Sequence, residues 1–438
     1  MVDLTKHLRR WLCRNPISTA IVPNSTPSTS ECQNKLELES IPGALTVTAL
    51  PEINDEDRFP SAQHVYLEEN ESHSNHCDLP IELIELILSF AESTALSKIA
   101  QANHTCHSLA TNRLYRDIEM PSPGAASKCA KTLAENRQLA VLVRKLHVTD
   151  ADTSVEPEYY DVLHKALCNM DNLTSLSLLL GGAHSNVLTG TKFKLQSFTT
   201  ACHWDHDLVE WLETQETMTS ALFCGKYHHE ARLSLPALPN LQRVSASPLI
   251  LAAVVPGRPI EEAELCLSQP WLLHPDVIAT VMRILAFSST SIHTLQFITH
   301  LSDTPELTLS AFGTVPVYLP CLKALAIHIV KGSVTEGMLH GMTSMFSSFT
   351  SLQSVMMLSK SRADALHDEA LAGPIVKKWG SACSTLEIIS FPDSIWARNP
   401  KLGWITLKEL ERILIERERE LETKEKELAG ERDLMREE

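Results

Sequence analysis

The sequence predicts an α/β chain in which a short helical module precedes a long stack of strand-and-return units and a charged terminal helix. Three observations carry this reading. Composition changes abruptly near Asp78, from Pro-, Ser- and Thr-rich sequence to an apolar helical run. A loose Leu-x-x-Leu-x-Leu pattern recurs from about residue 140 onward. The chain is 44% hydrophobic but only 5% aromatic, so its core must be mostly aliphatic, which suits a repeat stack better than an aromatic-rich sandwich.

Residues 1–76 read as a disordered tail, punctuated by Pro16, Pro23, Pro27, Pro42, Pro51 and Pro60 with no lasting period. At the extreme N-terminus, Leu4, Leu8, Trp11 and Leu12 fall on one helical face among Lys6, Arg9, Arg10 and Arg14. Such a segment reads as weakly ordered, with a transit peptide or surface-binding helix as the alternatives.

Asp78-Leu79-Pro80 opens a helix. Asp78 is able to cap it, Pro80 suits its first turn and Glu82 favours its positive end. Leu83, Ile84, Leu86, Ile87, Leu88 and Phe90 follow, interrupted only by Glu85 and Ser89. A helix apolar on most sides must be covered on most sides. Two shorter helices are expected next, one beginning at Ser93 or Thr94. The other shows Cys106, Leu109, Ala110 and Leu114 at the spacing of one buried face. So small a unit needs support from a partner or from the segment that follows it.

The run from Leu79 to Phe90 resembles the opening "L-P-x-E-L-x-x-x-I-L-S-x-L" of the F-box family. Ser108-Leu109-Ala110 with Leu114-Tyr115-Arg116-Asp117-Ile118 is similar to that family's close. Cys106 stands where the family usually carries a large aromatic, and Glu92-Ser93-Thr94 replaces its common leucine-rich loop. The resemblance implies a three-helix F-box at 77–120 that docks a Skp-type adaptor, and through it a cullin. Leu79, Pro80, Leu83, Ile84, Ile87 and Phe90 would then form the adaptor contact.

The recurring motif centres on residues 146, 176, 198, 222, 244, 265, 295, 325, 355 and 389. These separations lie near, and partly above, the period of about 20–29 residues of leucine-rich repeats. Residues 135–400 therefore read as an irregular leucine-rich-repeat solenoid, with helices expected at Asp161–Met170, Asp207–Thr214 and Asp276–Ala286. The Asn or Cys that normally satisfies backbone groups in the repeat turn is missing from most copies, so irregular turns are expected. Residues between the buried positions should line the open face. Lys145, His147, Arg243, Gln296 and His328 are the expected substrate contacts, beside Ser175, Ser177, Ser245, Thr294 and Ser354. Trp204–Asp207 or Trp396 offer alternative recognition points. The whole resembles fungal-type F-box proteins with degenerate repeats.

Residues 404–438 read as a charged helix. Leu407, Leu414, Leu421, Leu428 and Met435 recur every seven residues, but Arg417, Lys424 and Glu431 occupy the alternate seam, so only weak self-association is expected.

The remaining chemistry is sparse. A net charge of −16 disfavours nucleic acid. The 11 cysteines form no Cys-x-x-Cys, and neither a disulfide scaffold nor a zinc ribbon is indicated, which fits cytosol or nucleus. Leu249–Val255, the longest aliphatic stretch, is too short to span a bilayer. Thr189-Gly190-Thr191-Lys192 does not match a phosphate-binding loop, and Cys202, His203, His206, His228 and His229 match no zinc-finger spacing. No metal, cofactor or catalytic residue is expected. The expected function is substrate recognition within a Skp–cullin–F-box ubiquitin ligase, without membrane or nucleic-acid binding. The alternative is a repeat-based interaction scaffold with no ligase role.

Overall fold

The computed structural model describes residues 79–434, except 121–122, 150–156, 181–183, 229–230, 268–269, 302–304 and 360–364. The N-terminal tail, the basic N-terminal segment, Asp78, His229 and Met435 lie outside these residues.

Three helices come first: α1 (Ile81–Ser89), α2 (Ser93–Ile99) and α3 (His104–Arg116). Leu88, Leu96 and Ala110 are buried where they meet, with Ile84, Ile99, Leu109 and Leu114 packed around them. The first helix is entered through Pro80, without a side-chain cap. Neither Ser93 nor Thr94 caps the second, because the N-cap position falls on Glu92. In the third, Asn103 accepts a bond from the Cys106 amide and anchors the helix start.

Helix α3 runs directly into a sheet. Among the described residues this sheet has 13 strands, in the order in which the chain makes them. They are β1 (Asp117–Met120), β2 (Lys145–Thr149), β3 (Ser175–Leu179), β4 (Ser197–Thr200), β5 (Ser220–Phe223), β6 (Arg243–Ala246) and β7 (Glu262–Leu267). Then come β8 (Thr294–His300), β9 (Ala324–Lys331), β10 (Ser354–Ser359), β11 (Ile388–Ser390), β12 (Ile395–Asn399) and β13 (Gly403–Thr406). Pairings from β1 to β11 are parallel, and the last two are antiparallel. The sheet is open, with β1 and β13 at its ends.

Parallel neighbours require the chain to return each time. Helices make most of the returns: α4 (Pro123–Glu135), α5 (Arg137–Ala140), α6 (Pro157–Asn169), α7 (His206–Glu213), α8 (Pro248–Val254) and α9 (Pro275–Leu285). They continue with α10 (Pro305–Gly313), α11 (Val315–Tyr318), α12 (Glu336–Phe346) and α13 (Glu369–Ala382). The three helices expected from periodicity correspond to α6, α7 and α9. Helix α14 (Leu407–Leu434) is the last described element.

Period-two alternation sets the core. One continuous buried row joins Ile118, Leu146, Leu176, Phe198, Ala221, Val244, Ala263, Leu295, Leu325, Val355 and Ile389 across eleven strands, with only Ile118 half-exposed. Two expected register positions are thereby corrected. Ala221, not Leu222, faces inward on β5, and Ala263 takes the place assigned to Leu265 on β7. A one-residue slip exchanges the two faces of a strand, so Leu222 lies on the open side. Leu265 remains inward, but one row further along.

The turns are satisfied without a repeated Asn or Cys. Just before the strands, each backbone amide donates to the preceding unit: Thr174 to Arg144, Gln196 to Thr174, Thr219 to Gln196, and so on to Glu387 donating to Gln353. Side chains supply the rest, differently in each unit. Asn169 donates to the Leu133 and Ala134 carbonyls, and Asn172 to Val141. Gln215 accepts from the Leu195 amide, and Thr217 donates to the Leu195 carbonyl. Asn240 donates to Glu216, Ser288 to Arg258 and Ile260, and Thr385 to Leu352. Buried carbonyls left unpaired would cost free energy, and several residue types meet the same requirement.

Candidate functional site

Among the described residues, nothing covers the apolar face of helix α1. Leu79 stands just before the helix, and Leu83, Leu86 and Phe90 follow at steps of three and four that align them on one helical face. Their exposures are 54%, 45%, 55% and 82%, and Ile87 beside them is 57% exposed. The opposite side supplies Leu88 and Ile84 to the small core. Four of the expected contacts (Leu79, Leu83, Ile87 and Phe90) are therefore on the surface, and Pro80 is exposed with them. Ile84 is half-buried and serves packing more than contact. Leu86 and Ile81 were missed, although the same spacing includes Leu86 in the face.

So much exposed apolar surface on one short helix is unusual for a chain standing alone. A fully buried Leu or Phe side chain stabilises by about 1.5–3 kcal/mol relative to an exposed one, and here that gain is unrealised.

The open face of the sheet is the second surface. Lys145 and Arg243 lie in its first row, four strands apart. Each is engaged by the neighbouring strand, Lys145 with Asp117 at 3.7 Å and Arg243 with Glu262 at 3.3 Å. His147 sits in the next outward row and meets Thr149 Oγ1 at 2.8 Å. Gln296 shares that row, while His328 lies in the one beyond it. The five expected contacts are thus dispersed and do not converge. Ser245 and Ser354 lie in rows of the open face but are themselves buried there by their neighbours. Trp204 is also no recognition residue. It is fully buried and its indole N–H donates to the Ala231 carbonyl. Trp396 is half-buried against the core.

A different group does converge on this face. Glu264, on β7, accepts a 2.5 Å bond from Ser245 Oγ on β6, and Cys266 Sγ lies 3.6 Å from the same hydroxyl. Burial pushes the Glu264 carboxyl above its ordinary value, against the lowering effect of the Ser245 bond. Burial likewise raises Cys224 to about 11 and Cys266 to about 12, so both are unreactive thiols at neutral pH. Leu222 and Gln296 continue the Ser245–Glu264 row on either side. Placing Leu222 in the core concealed this patch from a reading of the sequence.

Among the described residues, no group of three or more His, Cys, Asp or Glu side chains is arranged to hold a metal ion. No described helix is long and apolar enough to cross a membrane. In comparison with known proteins, no family model and no curated sequence matches the chain.

Proposed function

We propose that this chain is the substrate-recognition subunit of a Skp–cullin–F-box ubiquitin ligase. In this reading the three helices are an F-box and the sheet with its helices is an irregular leucine-rich-repeat solenoid. One observation carries the proposal: the exposed apolar patch of Leu79 with Leu83, Leu86, Ile87 and Phe90 at a helix whose sequence resembles the F-box opening. A Skp-type adaptor covers that face. The cullin follows through the adaptor, and a protein substrate is held on the open side of the sheet. Catalysis is then proximity, supplied by the assembled partners.

Co-purification with a Skp-type adaptor tests this. Wild type should retain the adaptor, and a Leu83→Asp, Ile87→Asp double variant should lose it while keeping its fold. Equal failure of both to recover adaptor would overturn the reading.

A further inference from the structure

Two histidines that are 25 residues apart in sequence meet just beyond the C-terminal ends of β4 and β5. His228 Nε2 lies 3.4 Å from His203 Nδ1, with the ring planes tilted by 44°. The backbone fixes this approach. Trp204 and Tyr227 form a parallel β-bridge, in which the Trp204 amide donates to the Lys226 carbonyl and the His228 amide donates to the Trp204 carbonyl. Gly225 permits it, because a β-carbon there would sit 1.7 Å from the Cys202 carbonyl oxygen and 3.1 Å from the His203 α-carbon. No larger residue allows the two segments to come so close.

We propose that His203 and His228 form a binding site for an imidazole-seeking divalent ion of the zinc type, with water completing the coordination. Two nitrogens bound at about 2.0–2.1 Å in a tetrahedral site lie about 3.3–3.4 Å apart, which matches the observed separation. The ligand atoms would be His203 Nδ1 and His228 Nε2, each in the neutral tautomer that leaves that nitrogen unprotonated. Asp205 does not serve as a further ligand, since its carboxylate accepts from Ser185 Oγ and the Leu208 amide. His228 is exposed and His203 half-buried, so the site opens to solvent.

The test is calorimetric titration of the full chain with zinc chloride. Wild type should show a saturable site that His203→Ala and His228→Ala each weaken at least tenfold. The exposed neighbour variant His206→Ala should bind like wild type, and His228→Cys should retain binding through its thiolate. The proposal is overturned if wild type shows no such site, which would leave the pair as an N–H···N hydrogen bond. It is equally overturned if all variants bind as wild type does.

Discussion

The indole of Trp404 lies directly over Gly380, where a β-carbon would come within 2.1 Å of its Nε1 and 2.6 Å of its Cε2. This packs β13 against helix α13. Gly380→Ala should force the ring away and destabilise by about 1–3 kcal/mol, the usual cost of overpacking. Urea unfolding followed by tryptophan fluorescence would read both the loss and the shifted indole. An unchanged midpoint would show that the ring moves freely.

Arg258 is fully buried and is held by backbone oxygens. Its guanidinium donates to the carbonyls of Ala237, Val254, Pro256 and Ser234. Arg258→Met should leave these acceptors unpaired and cost about 3–5 kcal/mol. Arg258→Lys should recover little, because a shorter ammonium cannot span the same fork. Denaturation midpoints of the two variants should therefore fall together.

Glu264 should make stability depend on pH. Its folded-state carboxyl titrates above the ordinary value of 4.5 because burial disfavours the anion. Its contribution is thus fully present below the unfolded value and is lost as pH rises through the folded one. Glu264→Gln should gain on wild type as pH increases above 4.5, a trend that unfolding curves from pH 5 to 7.5 would detect. A constant difference would mean that the carboxyl is not perturbed.

The exposed face of α1 should separate binding from stability. Leu86→Ser and Phe90→Ser remove side chains that are 55% and 82% exposed. Each should change unfolding free energy by no more than about 0.5 kcal/mol. Both should weaken adaptor capture measurably in the same preparations. If thermal unfolding shifts strongly instead, these residues pack against something within the chain.

Gly225→Ala should be among the most damaging single changes, since its β-carbon would overlap a backbone carbonyl that cannot swing aside. Poor recovery of folded protein, judged by size exclusion and circular dichroism, is the expected outcome.

The elements that were legible in sequence are those with strong periods. Helices α6, α7 and α9 announce themselves through spaced apolar residues, and the leucines of β2, β3, β8 and β9 through alternation. Strand β1 was hidden because Asp117-Ile118-Glu119-Met120 offers only two apolar residues and continues a helix. The antiparallel pair β12–β13 was hidden because Trp396, Trp404 and Ile405 lie outside any repeat period. On β5 and β7 an alanine faces inward while a larger or charged neighbour faces out, so residue size pointed the wrong way. The face of α1 was readable because local spacing defines it. The meeting of His203 with His228 was not, since it depends on a bridge between distant segments and on the absence of a side chain at Gly225.

Every strand in this sheet lies beside its neighbour in sequence. A strand and its return can therefore be added or removed without rerouting the rest of the chain. The cost falls on two local seams, each rebuilt from a turn whose polar partners already vary from unit to unit. Such a plan lets the length of the open face change by whole units, while the helical start and the antiparallel end stay as they are.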